Sequence, residues 1–145
     1  MIPFALVLLV PATSTGGGEL EVLLERAELA RKEKRPEEAV RLFRDLLTRA
    51  PDHREAHLGY QKLLQSQAKE PELVKEFQKL AEAHPEPWAL FLLGRVLHDP
   101  PREEALYRRA LEKAPEDFDC RLALGWALER QLRRSEAKNG SPDPF

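Results

Sequence analysis

His53 and His57 stand four residues apart, a spacing that can set two imidazoles on one helix face. With His84, His98 and Cys120 they are the side chains best suited to metal binding or catalysis. The pair falls short of a metal site. The run His53-Arg54-Glu55-Ala56-His57 lacks the zinc-protease order, in which Glu directly follows the first His or directly precedes the second, and no third ligand is evident. His53 also falls at or before the start of its helix, and His84, beside Pro85, is expected at a helix terminus. Cys120 takes the place held by Ala56 and Ala89 earlier in the chain, so it reads as a small packed side chain. A nucleophile would need a neighbouring base and an electropositive niche, and neither is identifiable. No Ser-His-Asp set or pair of carboxylates in a cleft emerges, and Gly16-Gly17-Gly18 lacks the Lys-Ser/Thr and the preceding strand of a phosphate loop. These residues predict no enzyme, no metal and no cofactor.

The elements that must carry these side chains repeat along the chain. Residues 37–51 read as one helix, because Ala39, Phe43 and Leu46 fall at i, i+4 and i+7 on one face and Pro51 ends it. Leu73, Phe77, Leu80 and Pro85 reproduce that skeleton 34 residues later, and Tyr107, Ala110 and Pro115 reproduce it after a further 30. A unit of about 34 residues made of two short helices cannot bury its own apolar face, so the units must stack and share a core. The pattern predicts helices over residues 19–32, 36–50, 54–67, 71–84, 87–97, 102–114 and 117–134, with Asp52 and Asp117 as N-caps and Asp99-Pro100-Pro101 as a short turn. Strand patterns are missing. The expected organisation is a leader and Gly-rich joint over 1–18 and a helical domain over 19–134. Within it lie units at 20–53, 54–86 and 87–116 and a last helix at 117–134, followed by a disordered tail over 135–145.

A net charge of -2 and a pI near 6.1 give the 145 residues no overall field to hold nucleic acid or an anionic membrane surface. Basic and acidic residues interleave, as in Glu25-Arg26, Arg31-Lys32-Glu33 and Arg102-Glu103-Glu104, which predicts solvated helix faces. A single cysteine permits no internal disulfide. Residues 4–10 form an unbroken apolar run of seven, far below the roughly 20 that span a membrane but within reach of a signal peptide, and Ala12-Thr13-Ser14 offers a small-x-small cleavage site. No Lys or Arg precedes the run. Export from a bacterial cell, to the periplasm or the medium, is expected; the alternative is a misassigned start or a disordered leader ahead of a cytoplasmic domain.

At this point the residues resemble the tetratricopeptide repeat family over 19–134. Leu93-Gly94 and Leu124-Gly125 match the family's first-helix signature. Ala39-Val40 with Phe43, and Ala105-Leu106-Tyr107 with Ala110-Leu111, match its second-helix signature. Gly94 and Gly125 would let a paired helix approach closely, Ala27 takes that place in the first unit, and the second unit departs with Gln61 there and Leu58-Gly59 displaced by two residues. That departure predicts a looser helix pair. The resemblance implies an all-α, right-handed superhelical solenoid of about three helix-turn-helix units plus a C-terminal capping helix. It also implies a concave surface, lined by the first helix of each unit, that receives a peptide or helix of another protein.

Spacing from the close-packing positions then places Leu24, Glu28 and Arg31, Leu58, Lys62 and Gln65, Phe91, Arg95 and His98, and Leu122, Trp126 and Glu129 along that surface. Phe91 and Trp126 are the candidate anchors, while Leu24, Leu58, Phe91 and Leu122 fit core packing equally well. The Lys and Asn cluster with which one branch of the family clamps chaperone C-termini is missing, since Leu24, Glu28 and Gly59 stand where it would be expected. For the last helix, outward Asp119, Ala123, Arg130 and Arg134 predict a polar cap; the competing reading is an open end that pairs with a second copy in a homodimer.

Overall fold

The computed structural model describes residues 15–140. Among them the chain forms α1 (Thr15–Lys32), α2 (Pro36–Arg49), α3 (Arg54–Ser66), α4 (Glu70–Ala83), α5 (Pro87–Leu97), α6 (Pro100–Lys113) and α7 (Phe118–Lys138), with no strand among the described residues. The apolar run at 4–10, the Ala12-Thr13-Ser14 site and residues 141–145 lie outside them. No described helix is long and apolar enough to cross a membrane.

Local chemistry sets the helix ends. Proline stands at the first or second position of α2, α4, α5 and α6, where its missing N–H leaves no bond unmade. Pro100 and Pro101 therefore open α6 instead of forming a turn ahead of it, and the helix starts two residues before the expected Arg102. The N-cap of α3 is His53 and not Asp52: its Nδ1 accepts the Ala56 N–H at 3.2 Å. Asp117 caps α7 as expected, accepting from Cys120 N at 3.0 Å. α1 begins at Thr15, so Gly16 to Gly18 lie in its first turn and not in a joint, and α7 continues one turn past residue 134.

Each helix-turn-helix unit closes through a residue in the left-handed region. Lys34, Ala68 and His98 have φ of 58°, 55° and 51°, and they stand 34 and then 30 residues apart, the same spacing as the helical markers. None is glycine, so each turn holds some strain that the packing of its two helices offsets.

Successive helices pack on one another, and α1, α3, α5 and α7 also lie side by side, whereas α2, α4 and α6 touch only odd-numbered neighbours. The odd helices thus form one layer and the even helices a second. Between the layers runs one core holding Phe43, Leu46, Tyr60, Phe77, Leu90, Leu92, Tyr107 and Cys120. Burying each large side chain contributes about 1.5–3 kcal/mol. The third unit is tightly closed: a Cβ on Gly94 would sit 2.6 Å from Tyr107 Cζ of α6. In the second unit Gln61 fills the corresponding place and α3 and α4 share the least contact of the three pairs. Buried there, Gln61 turns its Nε2 to the Leu92 carbonyl on α5, a 2.9 Å bond. The displaced Gly59 serves a different seam, where a Cβ would come 2.7 Å from Phe43 Cε1 of the preceding unit.

Candidate functional site

The odd-numbered layer carries a cleft of about 410 Å³ between α3, α5 and α7, with α6 at its base. Seven residues of the expected binding stripe meet in it: Leu58, Gln65, Phe91, Arg95, His98, Leu122 and Trp126. Five lie elsewhere. Leu24 is half-buried on α1, Glu28 and Arg31 pair with each other at 2.6 Å, Lys62 is exposed outside the cleft, and Glu129 does not line it but is bonded to Arg133 at 2.6 Å. The stripe therefore divides at the second unit, where α1 contributes nothing to the cleft.

The two aromatic anchors differ in kind. Phe91 is 5% exposed and belongs to the core, tilted against Tyr107 with ring centroids 6.3 Å apart. Arg54 and Arg95 lie over its ring at 5.1 and 5.7 Å, so Phe91 seats two guanidinium groups more than it offers a surface of its own. Trp126 is 55% exposed on the opposite wall, next to Leu122.

Ion pairs absent from any sequence pattern hold the cleft walls. Arg54, at the start of α3, donates to Asp117 at 2.8 Å and to Asp119 at 2.6 Å, tying α3 to the start of α7. The Arg54 bond, supported by the Cys120 N–H, holds the Asp117 carboxyl at a pKa of about 2. Arg130 on α7 reaches Glu103 on α6, with one bond at 3.2 Å. Glu103 is 2% exposed, so the acidic-basic run at 102–104 is not a wholly solvated face. Sequence reasoning missed Glu103, Asp119 and Arg130 as cleft residues, and Arg54 as the partner that holds Asp119. Their partners lie 27 to 65 residues away, and only the stacking of units brings them together.

The polar outer face expected for α7 is overturned in part by the same contacts, although Arg134 is exposed as expected. Ala123 is buried, while Asp119 and Arg130 bond inward to Arg54 and Glu103. Phe118, Leu122, Trp126, Leu128 and Leu132 are exposed in their place. The chemistry-bearing residues are otherwise engaged. His57 donates Nε2–H to the Pro51 carbonyl at 2.7 Å and stacks on Trp88, and burial lowers its pKa. Cys120 is fully buried, and burial, with the Asp117 charge second, pushes its thiol up to about 12, far from a nucleophile. Among the described residues no three His, Cys, Asp or Glu side chains gather as a metal site would require.

A tetratricopeptide repeat profile matches residues 20–63, the first unit and the start of the second. The fold extends the likeness across the described helices. The crystal structure of the Sgt2 tetratricopeptide-repeat domain from Aspergillus fumigatus superposes with a TM-score of 0.57 at 16% identity, covering 88% of this chain and 86% of that one. The fold is that of a tetratricopeptide-repeat domain. A thermophilic repeat protein of Thermus thermophilus superposes with a TM-score of 0.53 at 20% identity over 75% of this chain and 60% of that one. At such identities both show the fold alone. No curated protein matches the chain. This repeat protein is all-α and built as a solenoid, an architecture whose general use is protein–protein interaction.

Proposed function

We propose that this repeat protein is a non-enzymatic adaptor that takes a segment of another protein into the cleft between α3, α5 and α7. The observation that carries this reading is one wall and one charge. Trp126 and Leu122 present exposed apolar surface to a cleft whose other lining arginine, Arg130, is already paired, while Arg95 forms no ion pair among the described residues. The matching occupant sets an apolar side chain against Trp126 and Leu122 and a carboxylate near Arg95. Binding draws on preorganisation: the ties of Arg54 and Arg130 fix the walls beforehand, so little ordering entropy is lost when the ligand docks.

Selection of peptides from a displayed random library on the full chain, followed by fluorescence anisotropy on the enriched sequences, tests this. Enriched peptides should combine an aromatic or aliphatic residue with Asp or Glu. Trp126→Ala should weaken them by about 30-fold, a loss typical of a binding anchor, and Arg95→Glu by about ten-fold, with unchanged circular dichroism. Unchanged affinity in both variants sinks the reading. A loss on Lys79→Glu instead would move binding to a second cleft of about 460 Å³, lined by Leu47, Tyr60, Phe77 and Leu80 between α2 and α4.

A further inference from the structure

α7 also has an outward face distinct from its cleft wall. Cys120, Ala123 and Ala127 pack inward. On the opposite side Phe118 is 72% and Leu132 59% exposed, flanked by exposed Leu122 and Leu128. Gly125 lies in their midst, with nothing within 4 Å of where a Cβ would stand. A contiguous apolar face on a folded protein marks an interaction surface.

We propose that a second copy of this chain covers this face, the two α7 helices crossing antiparallel at Gly125 about a two-fold axis. In that arrangement a residue a given number of places before Gly125 lies across the seam from the residue equally far after it on the other copy. Arg121 then meets Glu129, Phe118 meets Leu132 and Leu122 meets Leu128, each contact made twice by symmetry. The face is thus complementary to itself in charge and in apolar surface, and the glycine at the crossing lets the two backbones come close. Among the described residues of one copy, Arg121 and Glu129 are engaged only in exposed pairs, with Glu116 at 3.6 Å and with Arg133 at 2.6 Å. Such pairs contribute little in water, so exchanging them for contacts across the seam is easy.

Light scattering and sedimentation of the full chain over a wide concentration range test the pairing. Wild type should dimerise, and Arg121→Glu or Glu129→Arg should each weaken the dimer by about ten-fold or more, since either reversal sets like charges together at two symmetric contacts. The double variant Arg121→Glu, Glu129→Arg should return to within a few-fold of wild type. Both side chains are exposed, and circular dichroism should stay unchanged. A wild type that remains monomeric at its highest soluble concentration overturns the proposal. A dimer indifferent to the single reversals, or one that the double variant fails to restore, overturns it equally. Neither charged residue lines the cleft, so this test and that of peptide capture fail separately.

Discussion

Gly94 and Gly125 occupy the same place in successive units, 31 residues apart, each directly after a leucine, and their surroundings are opposite. Gly94 is buried under the Tyr107 ring of the helix that follows it. Gly125 is exposed, and no described residue approaches its missing side chain. A glycine inside a helix costs roughly 1 kcal/mol, which α6 offsets at Gly94 by packing closely. At Gly125 that cost stands without a return inside the described fold. Identical sequence marks thus record a demand for close approach, and the occupant must be found elsewhere in the structure.

The comparison breaks most visibly when the occupant of the filled seat is removed. Tyr107→Ala takes a 2%-exposed ring out of the space between α5 and α6, and the cavity should destabilise the domain by about 3–5 kcal/mol in urea unfolding. An effect below about 1 kcal/mol would mean that Gly94 does not owe its place to that ring. Gly94→Ala approaches the same contact from the other side. The new Cβ meets a ring that packing holds in place, so overpacking should outweigh alanine's better helix propensity, for a net loss of about 1–2 kcal/mol.

Acid separates the two regions in another way, because α7 is anchored by a carboxylate while α5 is anchored by apolar packing. Asp117 titrates at about 2 in the folded chain against an ordinary 3.8, owing first to its bond from Arg54. Between those values the unfolded chain binds more protons than the folded one. The stabilisation is therefore complete above the ordinary value and is lost as pH falls through about 2. Asp117→Asn should remove that dependence. Its unfolding free energy should fall less steeply than that of wild type from about pH 5 to about pH 2.5, and parallel slopes would show that the Arg54 tie does not hold α7.

Much of this was legible in the sequence for a physical reason: the helix period and the proline breaks are local, and they recur. Ala39 with Phe43, and Tyr107 with Ala110, mark the even helices, and the substitution of Gln61 for glycine anticipated the loose second pair. The left-handed turns at Lys34, Ala68 and His98 were not legible, since none uses the glycine that would advertise them. Nor was the cleft's framework. Asp119 and Arg130 read as outward because charge usually seeks water, but Arg54 and Glu103, which draw them inward, come from other units. Once those two face inward, the helix register turns Leu128 and Leu132 outward. Two hidden pairings therefore left an apolar stripe exposed on α7 where a polar face was expected.

The smallest change should have the opposite sign from all the others. Gly125→Ala adds a methyl group where nothing stands within 4 Å, in the interior of an exposed helix. Measured below micromolar concentration, where association is negligible, the variant should gain about 0.5–1 kcal/mol from helix propensity alone. The same substitution at high concentration should weaken self-association, because the methyl group enters the point where two α7 helices cross. A glycine whose removal helps the isolated chain and harms the pair is one kept for contact with another molecule. If the variant gains stability at every concentration and associates as wild type does, Gly125 repeats the Gly94 signature without its purpose.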